Sequence, residues 1–105
     1  MYKILFCTYN YGMEFEWDEQ KNLTNFAKHK ISFELARLVF EDPLHLVKFD
    51  RAVDGEERWH VMGSVMDRHV LVVVHTYRNR EDEEFIRIIS ARRASSHERR
   101  QYEQG

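Results

Sequence analysis

The chain has 105 residues, of which 43% are hydrophobic and 13% aromatic, and its formal net charge is −2 at pH 7. This length suits one small domain, and the hydrophobic fraction excludes an intrinsically disordered chain. The net charge excludes a uniformly basic nucleic-acid-binding surface, whereas a local basic patch stays compatible with it.

The first elements that the sequence predicts are short strands. Residues 2–7 alternate in a way that indicates a strand, and residues 9–12 are typical of a turn or a loose arm. Residues 14–17 alternate glutamates with aromatic side chains, which predicts a half-buried strand.

A helix is predicted to follow Asp18, which is a good N-cap, and to run to about Lys30. The apolar stripe of this helix is predicted at Leu23, Phe26 and Ala27, spaced i, i+3, i+4.

A second helix is predicted over residues 33–40, with Ser32 as its N-cap and Pro43 preventing its continuation. Its buried face is predicted to consist of Phe33, Ala36, Val39 and Phe40.

From residue 44 the hydrophobic period changes from helical to alternating. Strands are predicted over residues 45–50, 57–66 and 69–77, with a tight reversal at residues 67–68. The third of these strands is apolar on both faces and should lie centrally in the sheet. Residues 78–84 are predicted to form a charged loop.

The last strand begins at Phe85 and ends in Arg92 and Arg93, and Ser95 with Glu98 predicts a capping box for a C-terminal helix. Three successive strands on short connections predict an antiparallel meander, with the strand after residue 44 on one edge.

The sequence brings charged residues together at one place in this meander. Because the start of one strand meets the end of its antiparallel neighbour, residues 57–60 should lie beside residues 75–78. Arg87 should lie near this cluster, whereas Arg92 and Arg93 should lie toward the opposite end of the sheet.

Glu57, Arg58, His60 and Arg78 have the chemistry of a metal-free phosphodiesterase that acts on RNA. RNA supplies its own nucleophile, the 2′-hydroxyl, so the protein needs a base, an acid and a cation. Arginine binds phosphate through two parallel hydrogen bonds and stabilises developing negative charge. The alternative is a solvated sheet end with exposed ion pairs such as Glu57–Arg78, which the composition alone favours.

Other candidates have structural alternatives as well. Lys28 and His29 can contact phosphate or simply complement a helix C-terminus. Trp59 can stack on a base or belong to an aromatic core, and the same holds for Trp17. His75, on a buried strand, is predicted to be a hydrogen-bonded core histidine.

Cys7 is the single cysteine, so no disulfide forms within the chain, and a reducing compartment is indicated. One thiol and scattered histidines give no zinc-binding spacing, and no cofactor is expected. No stretch approaches the ~20 apolar residues of a membrane span. We therefore expect a cytoplasmic protein without a membrane partner.

Several stretches together resemble a known family, the BrnT-type ribonuclease toxins of bacterial type II toxin–antitoxin systems. These stretches are Phe15-Glu16-Trp17-Asp18 with Lys21, Asn25, Lys28 and His29; Ser32-Phe33-Glu34 with Ala36, Val39-Phe40 and Asp42-Pro43; Gly55-Glu56-Glu57-Arg58-Trp59 with Gly63; and Arg87-Ile88-Ile89-Ser90-Ala91-Arg92-Arg93-Ala94 with Glu98, Arg99 and Tyr102. The match covers nearly everything from Met13 onward.

The resemblance implies a RelE-like α+β fold: two N-terminal helices packed on a mostly antiparallel sheet of about four strands, followed by a C-terminal helix. The length of the chain predicts a single domain, residues 1–105. Family members commonly begin near Met13, so residues 1–12 are either native or an N-terminal extension of a toxin domain at residues 13–105.

The resemblance also implies an endoribonuclease toxin that cleaves RNA, inhibits translation and is neutralised by a cognate ribbon-helix-helix antitoxin. Contact with DNA is then indirect, through the antitoxin in a complex that represses its own operon. The catalytic residues that we predict are Glu57, Arg58, His60, Arg78 and Arg92, and the predicted RNA-binding residues are Lys28, His29, Trp59, Arg87 and Arg93. Of these, His60, Arg87 and Arg93 come from the residue pattern and not from the family's typical positions.

Two other hypotheses come from different classes of protein. The chain is alternatively a non-catalytic, toxin-derived binding module that acts through its antitoxin in operon regulation. A weaker hypothesis is a DNA-binding module, for which the isolated chain should bind DNA with a steep salt dependence.

Overall fold

The structure, a computed structural model, describes the backbone of residues 2–6 and all atoms of residues 14–66 and 69–105. The predictions for the turn at residues 9–12, for Met13 as a start and for the reversal at residues 67–68 lie outside these described residues.

In the part of the chain that the structure describes, six strands form a single mixed sheet. The elements are β1 (Tyr2–Phe6), β2 (Glu14–Asp18), α1 (Glu19–His29), α2 (Phe33–Ala36), a 3-10 helix (Arg37–Glu41), β3 (Leu46–Val53), β4 (Glu56–Val65), β5 (His69–Arg80), β6 (Glu83–Arg93) and α3 (Ser96–Gln104). The strand order is β1-β2-β6-β5-β4-β3. The predicted meander β4-β5-β6 and the edge position of β3 are confirmed.

The predicted fold class, two N-terminal helices on a mostly antiparallel sheet of about four strands, is wrong. Two strands precede α1, and β2 pairs in parallel with β6 while β1 pairs antiparallel with β2. The parallel pairing joins Glu14 to Phe85, a contact between distant parts of the chain that local hydrophobic periodicity does not encode. Among the described residues of this half of the chain, only α1 is a helix of several turns.

The second predicted helix is much shorter than expected. One α-helical turn, capped by the hydroxyl of Ser32, continues as a 3-10 helix. The 3-10 segment packs Val39 against Gly63 of β4, where a Cβ atom would lie 2.7 Å from Val39 Cγ1 and 2.9 Å from its carbonyl oxygen. The absence of a side chain at Gly63 therefore allows this close approach of helix and sheet.

The buried side of α1 differs from the predicted stripe. The Asp18 cap is confirmed, since its carboxylate accepts from the amides of Gln20 and Lys21. Leu23 and Phe26, however, are 60% and 50% exposed. The helix instead buries two asparagines, because their amide groups hydrogen-bond to backbone that would otherwise be unpaired.

Asn25 makes the longest-range of these contacts. Its Nδ2 donates to the carbonyl oxygens of Ile31 and Ala91, both at 2.9 Å, and its Oδ1 accepts from the Ala91 amide at 3.1 Å. Ala91 lies beyond Arg87, the last residue of β6 that β2 pairs. The Asn25 side chain thus takes the place of a neighbouring strand at this point of the sheet edge.

The hydrophobic core lies between the helical segments and one face of the sheet, which we call the core face. Trp17, Val61 and Val73 are fully buried on the strands, and Phe33 and Val39 are fully buried on the opposing helical layer. The predicted buried face of residues 33–40 is confirmed. His75 also lies on this side, fully buried, with its Nδ1 3.3 Å from the carbonyl oxygen of Val73, which confirms the core-histidine prediction.

The strands of the β5–β6 hairpin extend into the predicted charged loop at residues 78–84, so the observed loop is much shorter than predicted. The strands continue to Arg80 and resume at Glu83, joined by Glu81 and Asp82, which both have positive φ. This two-residue turn has the left-handed backbone that matches the twist of a hairpin. As a result, Arg78 belongs to a strand.

The C-terminal helix α3 begins with the predicted capping box. The Glu98 amide donates to the Ser95 hydroxyl, and the Glu98 carboxylate accepts from the Ser95 amide. Within the described part of the chain, no helix is long and apolar enough to cross a membrane.

Candidate functional site

The sheet face opposite the core face carries most of the predicted catalytic residues. Strand alternation places Arg58, His60, Arg78, Arg87 and Arg92 on this side, which we call the arginine face. The register aligns Arg58 and Arg87 on either side of Thr76. Because neighbouring strands lie about 4.8 Å apart, their Cα atoms are separated by about 10 Å.

Two arginines share one carboxylate at one end of this face, which we call the open end. Glu56 Oε2 accepts from Arg78 Nη2 at 2.9 Å, and Glu56 Oε1 lies 3.8 Å from Arg58 Nε. The longer distance is an ion pair but not a hydrogen bond. The Nε–H groups of both arginines are buried and hydrogen-bonded to no group in the described residues. The open end therefore has more donors than acceptors.

His60 lies next to this pair on β4. Its Nε2 is 3.3 Å from Asp50 Oδ1, and both side chains are partly buried, at 28% and 15% exposure. Asp50 reaches the histidine because the β3–β4 register shifts between Phe49 and Arg51, which leaves Asp50 as the extra residue of a bulge. A carboxylate in this position orients an imidazole.

Arg87 occupies the middle of the face, next to Glu16 of β2 in the parallel register. Burial lowers the pKa of Arg87 from its ordinary value. The Glu16 side chain is only 2% exposed, and its Oε2 lies 3.5 Å from Arg80 Nη2. A buried carboxylate here limits the net positive charge along this edge of the face.

Arg92 lies at the other end, beneath α3, which we call the covered end. Its Nη1 and Nη2 donate to Glu98 Oε1 and Oε2 at 2.7 and 2.9 Å. This bidentate pair raises the pKa of Arg92, and the hydrogen bonds from Arg92 help to lower the pKa of Glu98 to about 2. Arg92 pairs with Val72, six residues from Arg78 on β5, which corresponds to about 20 Å. The predicted separation of Arg92 from the first cluster is confirmed.

Asp42 fixes the far end of α3 to the sheet. Its Oδ2 accepts from the Ser64 amide at 2.8 Å and from the Tyr102 hydroxyl, and its Oδ1 accepts from the Leu44 amide. Burial opposes ionisation of Asp42, but these hydrogen bonds leave its pKa below the ordinary value. Burial and the neighbouring Asp42 raise the pKa of Tyr102 to about 12.

Five of the predicted site residues lie elsewhere. Glu57 and Trp59 alternate onto the core-face side of β4, where Trp59 contacts Phe49 and Tyr77 edge-on. Arg93 Nη1 lies 3.2 Å from the His69 ring. Lys28 and His29 end α1. Among the described residues, no hydrogen bond or ion pair joins these five side chains to the arginine face.

Three acidic residues of the face escaped the sequence reasoning: Glu56, Asp50 and Glu16. Alternation along β4 was a sufficient signal for Glu56, because it places Glu56 and not Glu57 on the side of Arg58 and His60. The position of Asp50 on this face depends on a β-bulge, and that of Glu16 depends on a parallel strand pairing. Neither feature leaves a signal in the local sequence.

A groove lies between α3 and the His60 row of the arginine face. Its volume is about 340 Å³, and its lining includes Leu46, Lys48, Met62, Val72 and Gln101. In the described residues, no group of three or more histidine, cysteine or acidic side chains is arranged to hold a metal ion.

One sheet face packs against the helical segment that contains Phe33 and Val39, whereas the opposite face carries clustered arginines and is covered at one end by α3. These features define a small protein whose sheet has a charged face. The comparisons with known proteins identify the family. The family model described as the ribonuclease toxin BrnT of type II toxin–antitoxin systems matches residues 17–98 of the sequence, which is more than half of the chain. The chain therefore belongs to the BrnT family of ribonuclease toxins.

A solved structure agrees with this assignment. The crystal structure of the Brucella abortus ribonuclease toxin BrnT has a TM-score of 0.53 and 31% sequence identity to this chain. The similarity covers 76% of this chain and 94% of that one. No curated protein matches the sequence significantly.

Proposed function

We propose that this chain is an endoribonuclease that needs no metal ion and that its active site is the open end of the arginine face. The observation that carries the proposal is the convergence of Arg58, Arg78 and the His60–Asp50 pair from adjacent strands. Membership of a family of ribonuclease toxins supports RNA as the substrate.

In the proposed reaction, the 2′-oxygen of RNA forms a bond to phosphorus while the bond from phosphorus to the 5′-oxygen breaks. His60 accepts the proton of the 2′-hydroxyl, and Asp50 stabilises the imidazolium that results. The leaving 5′-oxygen takes a proton from water. The products are a 2′,3′-cyclic phosphate and a 5′-hydroxyl, so the atoms balance without a bound metal.

Arg58 and Arg78 bind the phosphate oxygens and stabilise the additional negative charge of the phosphorane. Glu56 positions both guanidinium groups, and its single carboxylate leaves N–H donors of both arginines available to the substrate. Removing one such donor from a preorganised site costs about 10²–10³-fold in rate. Arg87, which lies on the same cross-strand row as Arg58, extends the binding surface along the RNA backbone.

The test uses the purified chain, an RNA substrate and EDTA. We expect cleavage that EDTA does not abolish, and products that carry 2′,3′-cyclic phosphates. His60→Ala should lower the rate by about 10²–10⁴-fold, because a general base is lost. Arg100→Ala, which removes an exposed arginine of α3, serves as the matched control.

Two results would overturn the enzyme proposal. One is intact RNA after incubation with folded wild-type protein. The other is equal cleavage by wild type, His60→Ala and Arg58→Ala, which would place the activity elsewhere or in a contaminant.

The proposal has consequences in the cell. Cleavage of RNA inhibits translation, so expression of the chain alone should arrest growth. The family implies an antitoxin partner, and we propose that it has a ribbon-helix-helix domain and mediates any contact with DNA. Coexpression of an adjacent gene of that type should restore growth, and growth arrest that persists would contradict this partner.

A non-catalytic binding module is the second candidate function. The observation in its favour is that Arg58, Arg78 and Arg92 each have a carboxylate within 4 Å, as expected of a neutralised sheet face. Under this alternative, His60→Ala and Arg58→Ala would leave the cellular effect unchanged, whereas substitutions that release the antitoxin would abolish it.

A further inference from the structure

The groove beside α3 lies on the arginine face, at its covered end. Successive cross-strand rows run from the covered end to the open end: Leu46–Met62–Val72, then Lys48–His60–Val74, then Arg58–Thr76–Arg87. The first row forms the floor of the groove, and His60 and Lys48 of the second row form its rim. One row therefore separates the groove from Arg58.

The floor of the groove is apolar and suits the flat face of a ring. Met62 and Val72 are buried, at 8% and 1% exposure, and Leu46 is half-buried beside them. The Met62 thioether is a favourable contact for an aromatic system. A volume of about 340 Å³ lies at the small end of the range of ligand sites, about 300–1,000 Å³.

The walls of the groove supply hydrogen-bonding groups at fixed positions. Glu98 lines it from α3, and Arg92 and the Ser95 amide hold the Glu98 carboxylate in place. Gln101, one turn further along α3, adds an amide that both donates and accepts. Lys48 adds a cation on the opposite wall.

We propose that this groove binds one nucleobase of the RNA, adjacent to the phosphate held at the open end, and that it determines the sequence preference of cleavage. Proteins recognise single-stranded RNA by apolar contact with an unstacked base and hydrogen bonds to its edge. A carboxylate accepts hydrogen bonds from an exocyclic amino group, so the groove should favour adenine, guanine or cytosine over uracil. This proposal rests on the proposed ribonuclease function and refines it.

The experiment reads binding without relying on cleavage. The chain has four methionines, and ¹³C-labelled methionine methyl groups give separate NMR signals. We expect the Met62 methyl signal to shift with the 3′-monophosphates of adenosine, guanosine or cytidine, and less with that of uridine. The signal of Met66, which is 74% exposed at the end of β4, is the internal control and should not shift.

A variant that fills the groove tests the location. Gln101→Trp should weaken mononucleotide binding about tenfold or more, which corresponds to about 1.4 kcal/mol. Gln104→Trp introduces the same side chain on the same helix, at an exposed position outside the lining, and should bind as the wild type does. Inorganic phosphate alone should leave the Met62 signal in place.

RNA cleavage assays distinguish a failure of the groove proposal from a failure of the ribonuclease proposal on which it rests. If wild-type protein cleaves RNA and Gln101→Trp changes the cleavage-site preference while Gln104→Trp does not, the base-binding groove is supported. If the wild type cleaves RNA and Gln101→Trp cleaves the same sites with the same KM, the groove proposal fails and the ribonuclease proposal survives. If the wild type cleaves no RNA, the ribonuclease proposal fails.

Three NMR results would overturn the groove proposal directly. The first is a Met62 signal that none of the four mononucleotides shifts at millimolar concentration. The second is an equal shift with inorganic phosphate. The third is a Met62 signal that responds only to the antitoxin, which would assign the groove to a protein partner.

Discussion

At the open end of the arginine face, two guanidinium groups share the carboxylate of Glu56, whereas at the covered end Arg92 binds both carboxylate oxygens of Glu98 with its two Nη groups. Exposure does not explain the difference, since the side chains of Arg78 and Arg92 are 40% and 39% exposed. The two ends differ in the ratio of arginines to carboxylates. We infer that Arg92 stabilises the fold and positions α3, and that Arg58 and Arg78 bind the substrate.

The largest expected effect separates these two roles. Arg78→Ala should lower the single-turnover cleavage rate by about 10²–10³-fold, because a charge-stabilising donor is lost, with little change in stability. Arg92→Ala should lower the free energy of unfolding by about 1–3 kcal/mol, because Glu98 loses its charged partner, and should affect the rate less. Cleavage assays and urea denaturation of both variants measure the two quantities. Equal rate losses in both variants would contradict the comparison.

The next effect concerns the contact between the 3-10 helix and β4, on the core face opposite the covered end. Gly63→Ala should lower the free energy of unfolding by about 2–3 kcal/mol, since the new Cβ atom meets both the side chain and the carbonyl oxygen of Val39. Urea denaturation gives the value. In the double variant with Val39→Ala, the Cγ1 contact is relieved but the carbonyl contact stays. The clash should therefore lessen and not vanish, and full additivity of the two substitutions would contradict this packing.

The third effect comes from the core face. Burial lowers the pKa of His75 to about 4, against 6.5 for an exposed histidine. The unfolded chain therefore binds a proton below pH 6.5 that the folded chain does not, and stability falls as the pH falls from 6.5 to 4.

Between pH 7.5 and 5, this histidine should cost the wild type about 2 kcal/mol of unfolding free energy. His75→Phe should lose correspondingly less over the same range, as measured by urea denaturation at both pH values. His97→Gln removes an exposed histidine of α3 and should behave as the wild type does. A His75→Phe variant with the same pH response as the wild type would refute the assignment.

The smallest effect belongs to the covered end at lower pH. Because the pKa of Glu98 is lowered to about 2, its contribution to stability is complete above pH 4.5 and is lost as the pH falls toward 2. Glu98→Gln should therefore be less stable than the wild type by about 1–2 kcal/mol at pH 7 and equally stable near pH 2.

Thermal denaturation across this pH range tests the Glu98 prediction. Glu103→Gln, at an exposed carboxylate of the same helix that pairs with Arg99 at 3.8 Å, is the control and should differ from the wild type by less than ~0.5 kcal/mol. A gap between the wild type and Glu98→Gln that does not depend on pH would mean that packing, and not the charge on Glu98, stabilises this end.

Local signals predicted most of the elements. The Asp18 cap and the Ser95–Glu98 capping box fixed the starts of α1 and α3, and alternation located the strands of the meander. These features depend on residues only a few positions apart, so the sequence expresses them directly.

Non-local contacts account for the wrong predictions. The parallel pairing of β2 with β6 spans about 70 residues of sequence, and it adds β2, with its partner β1, to the edge of the sheet. The stripe of α1 was misplaced because Asn25 is buried for the hydrogen bonds it makes with Ala91, which periodicity of apolar residues does not register.

The candidate site was predicted in part for the same reasons. Alternation and antiparallel register brought Arg58, His60 and Arg78 together, and the structure shows the same grouping. Strand alternation places Glu56, and not the predicted Glu57, on the same side of β4 as Arg58 and His60. Asp50 reaches His60 only through a bulge, which depends on a register shift and not on composition.

The bond between the Asn25 carboxamide and Ala91 has a consequence for self-association. Sheets with unpaired edges recruit strands from other molecules, and such recruitment leads to fibrils and to exchanged dimers. At Ala91 both backbone groups are already occupied by a side chain from α1. An incoming strand would have to displace that side chain first, so this stretch of the sheet edge resists polymerisation even where no neighbouring strand covers it.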